Sequence, residues 1–410
     1  MFPRIWSTRS VPVISMSVAS SSLSRQGAIS ERALPGYAPN DHSVYCAPIL
    51  QRVLPQRARE RTASLNVGLV IPMHGPAGIF GLSAMACSVL AGEEINAGGG
   101  LLGREVRLVP IDGAGSPRQV ARRVFALVRR GAVDVVTGWH LSHVRRALAA
   151  HLHGQVPYVY SALYEGGERT PGVFLAGETP DHQLAPAMAW LFREMGVRRW
   201  AVVGDDYLWP RGSANAVRNF VADLGLQITD EIFVPLGQKD FSRVIRRLRR
   251  SDAQGVLMLL VGQDAIHFNR AFASAGLDQR LVRLSSLMDE NMLLASGPGA
   301  THDVYSAAGY FGTLTTPDAL ELLGRYANRF GPEAPVLNSM GESCYEALQL
   351  LAALVRQSGS LAVRDMLRGA QAPVGYHGPR GSVHLRGQHL MQPVYLARAD
   401  GTEFDVVTQL

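Results

Sequence analysis

Residues 96–123 read NAGGGLLGREVRLVPIDGAGSPRQVARR. Gly98, Gly99 and Gly100 can close a helix and turn the chain tightly, because glycine takes left-handed backbone without steric cost. A β-rich run follows, VRLVPID (106–112), and then SPRQVARRVFALVRR (116–130), in which apolar residues recur at helical spacing. Helix, turn, strand and helix in immediate succession are the unit of an α/β layer.

The unit repeats. LNVGLVIPM (65–73), AVDVVTGW (132–139), VPYVYSA (156–162) and VFLAG (173–177) complete a first series of strands. A second series runs RWAVVGDD (199–206), ITDEIFVPL (228–236), GVLMLLVG (255–262), LVRLSS (281–286) and YSAAGYF (305–311). Strands alternating with helices predict parallel sheets with right-handed crossovers. Two series predict an α/β fold of two doubly wound parallel-sheet lobes joined by three crossings, near 180, 311 and 376. Lobe one is then 64–180 plus 311–375, and lobe two is 181–310 plus 376–410. Helical patterns fill 316–330, 339–359 and 360–371, and 383–407 reads as two antiparallel strands turning at Ala399-Asp400-Gly401.

Charge is unevenly placed. The net charge is +6, and residues 1–63 carry eight arginines against three acids, a surplus of five. The folded body therefore lacks the basic balance of a nucleic-acid-binding domain, and IRRLRR (245–250) reads as a solvated helix face. Residues 1–63 read as a disordered basic leader from an over-extended translation start, with an unusual export signal as the alternative. Cys46, Cys87 and Cys344 are scattered and form no CxxC, which argues against a disulfide framework and a cysteine metal site.

In open parallel sheets, ligands bind beyond the carboxyl ends of the strands. GWHLSHVRRA (138–147) lies at such an end. Ser142 stands before a helix, where it can cap free N–H groups or present its hydroxyl to a ligand oxygen, beside a helix terminus that favours negative charge. His140 and His143 lack the further ligands a metal needs; His140 reads as a pocket hydrogen-bonder and His143 as a helix-surface residue. YSALYEG (160–166) offers Tyr160, Ser161 and Tyr164, with Glu165 ordering the loop. GDDYLWPR (204–211) offers Tyr207 or Trp209, its two acids reading as turn and cap residues. Met288, Asp289 and Tyr310 are weaker strand-end candidates. GxSxG, GxxxxGK[ST] and HExxH are absent from the sequence, so it gives no positive sign of an enzyme and predicts neither cofactor nor metal.

The run 96–123 resembles the type I periplasmic-binding-protein-like receptors, the relatives of the leucine/isoleucine/valine-binding proteins. GWHLSHVRRA, VYSALYEG (159–166), TPDHQLAP (179–186) and GDDYLWPR in that order are similar to the branch that includes the negative regulator of aliphatic amidase and the binding proteins of urea and short-chain amide transporters. The resemblance implies hinge closure on a small polar ligand. It implies ligand contacts from Ser142, Tyr160, Tyr164, Tyr207 and the loop Val261, Gly262 and Gln263. His140, where an aromatic is usual, Ala162, where a polar residue is usual, and Ser161 and Leu163, where proline is usual, depart from the branch. Two uses follow: a cytoplasmic sensor that controls a regulator protein, or a periplasmic component of an ABC importer for branched-chain amino acids, amides or urea, docking on its permease. Neither binds nucleic acid directly, and either admits a homo-oligomer.

Overall fold

A computed structural model describes residues 64–410; the leader reading, with Cys46, lies outside them. In the first lobe β1 (Ser64–Ile71), α1 (Gly81–Ala97), β2 (Glu105–Asp112), α2 (Pro117–Arg129), β3 (Val135–Gly138), α3 (Ser142–Leu152), β4 (Tyr158–Tyr160) and β5 (Val173–Leu175) follow one another. The second lobe takes α4 (Pro180–Met195), β6 (Arg199–Asp205), α5 (Leu208–Val221), β7 (Gln227–Val234), α6 (Ser242–Arg249), β8 (Gly255–Leu259), α7 (Gly262–Ser274), β9 (Val282–Ser285), α8 (Glu290–Ser296) and β10 (Val304–Ala308). The chain returns to the first lobe for α9 (Pro317–Phe330), α10 (Ser339–Ser358), α11 (Val363–Gly369), β11 (Gly375–Gly378), β12 (Gly381–Arg386) and β13 (His389–Met391). It ends in the second with β14 (Tyr395–Asp400) and β15 (Glu403–Gln409).

The sheets run β11-β12-β13-β5-β4-β3-β1-β2 and β15-β14-β10-β9-β8-β6-β7. Their central pairs are parallel, as the strand–helix alternation predicts, and the hairpins β11–β12 and β14–β15 close the far edges. One assignment is corrected. Residues 375–391 extend the first sheet, because β13 lies beside β5 with His389 opposite Leu175. The third passage between sheets therefore falls between Met391 and Tyr395, not near 376.

The motif at 96–112 has a local explanation. The Asn96 side chain pairs with Val106 as a strand would, donating to its carbonyl at 2.8 Å and accepting from its amide at 2.7 Å. Gly100 has φ +74, and a Cβ there would stand 2.1 Å from the Arg104 carbonyl oxygen. Arg104 in turn reaches Asp134 at 2.9 Å, and Asp112 accepts from the amides of Met73 and Ala114, both at 3.0 Å. α1 is largely buried because it is sandwiched between the first sheet and α10; with the turn before it, Gly78–Ala97 has the length and hydropathy of a membrane span but is mostly buried.

Three segments cross between the sheets, and side chains tie them together. Glu178 in the first accepts from Gly309 N in the second at 3.0 Å, and Gln392 in the third donates to Ala176 O at 3.0 Å. Arg380, fully buried, bonds Glu178 at 2.7 Å and Glu342 on α10 at 2.5 Å.

Candidate functional site

The carboxyl ends of the two sheets face each other across a closed cleft. β3 ends at Gly138 with φ +127, where a Cβ would meet the Val70 carbonyl oxygen at 2.2 Å. That close approach carries Trp139, His140 and Leu141 along the floor of the cleft before α3 begins. A small cavity of about 10 Å³ in this closed form is lined from the first lobe by Trp139, His140, Leu141, Ser142, Tyr160, Ala162 and Leu163, and from the second by Tyr207, Trp209 and Leu287.

Ser142 is the first residue of α3, and Leu141 is its N-cap, with no side chain capping the end. The Ser142 hydroxyl is buried and has no partner in the fold, and the same holds for the Trp139 indole N–H. Two unpartnered donors beside an uncapped helix N-terminus leave the floor short of an acceptor. Of the two readings of Ser142, the helix cap is thereby removed, since Leu141 holds the cap position.

His140 also departs from expectation. Its Nδ1 lies 2.9 Å from the Val70 carbonyl oxygen and its Nε2 2.6 Å from the Tyr158 hydroxyl. A carbonyl can only accept, so Nδ1 carries the proton and Nε2 accepts from Tyr158. Burial brings its pKa down to about 3; the ring is a neutral brace between β1 and β4, with no nitrogen left for a ligand. Tyr160 donates its hydroxyl to His140 O at 2.6 Å and offers the cavity only its ring.

The remaining candidates divide. Tyr207 joins Ser142 at the cavity, its ring edge-on to His143 with centroids 5.1 Å apart. His143 is therefore not a plain surface residue: it makes a contact between lobes. Tyr164 lies outside the cavity; its hydroxyl meets His389 Nδ1 at 2.8 Å in a separate hollow beside Gly177 and His182. Ser161 is turned into the core, its hydroxyl 3.4 Å from Cys344 Sγ. Gln263 contributes its backbone N–H to Pro76 O at 3.1 Å rather than a cavity-lining side chain. Asp289 caps α8, and Leu287 rather than Met288 reaches the cavity.

Sequence reasoning missed Arg145. It is buried, its guanidinium stands 5.0 Å from the centre of the Tyr164 ring, and it pairs with Glu165 at 2.5 Å and with Glu168. Glu165 thus orders its loop through a charge, which no local spacing announces. Asp205 was read as a turn residue and proves wholly buried: one oxygen accepts from Val261 N at 2.8 Å. Burial first, then the neighbouring Asp264, pushes its pKa up, so the pair is most stable holding a proton. It pins the ends of β6 and β8 behind the cavity. Among the described residues no group of three or more His, Cys, Asp or Glu is arranged to hold a metal ion.

Besides His143–Tyr207 and Pro76–Gln263, the lobes touch where Asn291 donates to Ile79 O at 3.4 Å and where the Glu165 side chain lies against Gly212, where a Cβ would be 2.6 Å away.

A sequence model described as "Periplasmic binding protein" matches residues 64–403. The chain belongs to the periplasmic binding protein family. Among similar relatives of this family member, Leu/Ile/Val-binding protein homolog 1 of Brucella melitensis is 25% identical over 317 residues, covering 73% of this chain and 80% of that one. An amino acid binding protein of Pseudomonas aeruginosa is 25% identical over 307 residues, with the same coverage of 73% and 80%. Two solved structures share the fold. A solute binding protein of an ABC transporter from Rhodopseudomonas palustris, in complex with 3,4-dihydroxybenzoic acid, has a TM-score of 0.74 at 19% identity, over 85% of this chain and 97% of that one. A branched-chain amino acid transporter substrate binding protein from Streptococcus pneumoniae, in complex with isoleucine, has a TM-score of 0.72 at 17% identity, over 84% and 99%.

Proposed function

We propose that this periplasmic binding protein is the solute-binding component of an ABC importer, and that its cleft takes a small carboxylate with a flat, apolar body. One observation carries the solute class: the Ser142 hydroxyl and Trp139 N–H line the cavity without partners, while no Asp or Glu lines it to receive an ammonium group. A carboxylate satisfies both donors and the α3 N-terminus. An α-amino acid would leave its ammonium buried and unpaired, at a cost of several kcal/mol. The walls are rings: Tyr160, Tyr207, Trp139 and Trp209. Related importer proteins bound to hydroxylated benzoates support this body shape.

A thermal-shift panel tests the reading with benzoate, 4-hydroxybenzoate, 3,4-dihydroxybenzoate, leucine, isoleucine, acetamide and urea. Solute at ~100 times Kd adds about 2.7 kcal/mol, so the aromatic acids should raise the melting temperature while leucine and isoleucine leave it unchanged. Stabilisation by leucine or isoleucine, with none from the aromatic acids, refutes the assignment of a flat acid without an ammonium group; a response to acetamide or urea alone restores the amide branch. Ser142→Ala should weaken the best acid roughly 10- to 100-fold, the value of one hydrogen bond to a charged group. The solute-free melting point should not move, since the hydroxyl bonds nothing in the fold. Import also places the mature protein in periplasmic extracts; recovery only from the cytoplasm would favour a sensor.

A further inference from the structure

The folded body hides a strong charge separation. Residues 64–410 carry a surplus of only one positive charge, yet Gly113 to Tyr164 holds seven arginines and a single acid, Asp134. That stretch has a surplus of six, so the rest of the body is negative by five. Arg145 is buried and paired. The other six, Arg118, Arg122, Arg123 and Arg129 on α2, Arg130 at its end and Arg146 on the adjoining α3, are all exposed.

These six stand without ion pairs among the described residues, as Arg243, Arg246 and Arg250 do on and beside α6; what sets them apart is that a single acid falls in their whole stretch. Arg211, Arg218, Arg325, Arg329 and Arg398, by contrast, are all ion-paired. Arg118 sits in the first turn of α2, which has no acidic residue there; a cation at that end opposes the helix dipole. Arg118 and Arg122 repeat one charge at i, i+4, which costs a helix a few tenths of a kcal/mol. The fold alone gains nothing from this placement, while an anionic partner would.

We propose that the α2–α3 face of the first lobe is a docking surface for an acidic protein face, presented by the importer; this rests on the import reading above. The surface fits protein better than lipid. The apolar side of α2, Val120, Ala121 and Val124, is buried in the lobe, and no large exposed hydrophobic residue falls between 113 and 164, so nothing on this face can insert into a bilayer. Arginine forks match carboxylates two bonds at a time. The location links docking to the solute: α3 begins at Ser142 and also touches α5 of the second lobe, so a partner gripping α2–α3 holds the helix that faces the cavity.

The test compares the full-length protein with two variants by anisotropy of a labelled oligo-glutamate peptide at ~50 and ~300 mM salt. Arg118→Gln/Arg122→Gln/Arg123→Gln alters the face. Arg243→Gln/Arg246→Gln/Arg250→Gln removes three equally exposed arginines from and beside α6 as a control; the basic leader is common to all. The face variant should bind the peptide about tenfold more weakly and the control within about twofold, with salt erasing the difference. Equal loss in the control overturns a localised face. Tighter binding of the wild type to phosphatidylglycerol vesicles or duplex DNA than to the peptide, lost in the face variant, overturns an acidic protein partner. In cells, uptake of the solute should fall in the face variant while its affinity stays unchanged; unimpaired uptake overturns docking on the importer. Failure of the wild type to bind any acid in the panel instead refutes the carboxylate reading and leaves the peptide comparison standing.

Discussion

Gly262→Ala should weaken solute binding by at least about 100-fold while the solute-free protein stays folded. Gly262 opens α7 in the second lobe with φ +43, and a Cβ there would lie 2.1 Å from the carbonyl oxygen of Pro76 in the first lobe. No real Cβ approaches backbone so closely, and neither group can rotate away. The added methyl must hold the lobes apart, and the Gln263–Pro76 hydrogen bond at 3.1 Å is lost with it. A separated pair of lobes leaves the solute with the floor of the first lobe but without Tyr207, Trp209 and Leu287. A penalty of roughly 3 kcal/mol on the closed form alone corresponds to about 100-fold in Kd. The open form meets no clash and carries only the cost of alanine in left-handed backbone, about 1–2 kcal/mol. Calorimetric titration with the strongest acid of the panel measures the first effect, and a melting curve the second. An unchanged Kd would mean that closure at Pro76 is no part of binding.

What the sequence disclosed follows the range of the forces involved. Asn96, Gly100, Arg104 and Asp112 act within a few residues or on the adjacent strand, so spacing alone carries their meaning. The alternation that predicted two parallel sheets is equally local. The turn at Ala399-Asp400-Gly401 was also legible and joins β14 to β15, but 383–391, read as part of that hairpin, forms β12 and β13 instead, and local pattern cannot say which sheet accepts them. That choice rests on β13 meeting β5, more than 200 residues earlier. In the site, Ser142 and Tyr207 were legible because they stand where strands end. The fates of His140, Ser161 and Tyr164 were not. Each is decided by a distant partner: Val70 for His140, Cys344 for Ser161, His389 for Tyr164. Arg145 was hidden for the same reason, its charge being visible and its burial between Tyr160 and Tyr164 not.

Arg380→Met should destabilise the protein by about 3–5 kcal/mol, the expected cost of removing one partner from a buried ionic cluster. Among the described residues Arg380 is the one cation at three buried carboxyl groups: it bonds Glu178 and Glu342 directly, while Glu346 lies one helical turn from Glu342 and takes a hydrogen bond from Tyr376. Burial raises the pKa of both helix carboxyls, Glu342 to about 8, against the pull of Arg380. The folded protein therefore retains a proton on Glu342 at pH values where the unfolded chain has released it. Stability from this group is present below the unfolded value near 4.5 and is lost as pH rises toward 8. His140 works in the opposite direction, but its contribution is complete above its unfolded value of 6.5. Between pH 6.5 and 8 the wild type should thus lose on the order of 1 kcal/mol that Glu342→Gln retains. Denaturant melts of both proteins across that window measure the difference. Parallel curves would show that Glu342 is ionised throughout, with Arg380 compensating it fully. The same cluster joins Glu178 in the first crossing to Gly309 in the second. Its loss should therefore also loosen the crossings about which the lobes close to bring Gly262 against Pro76.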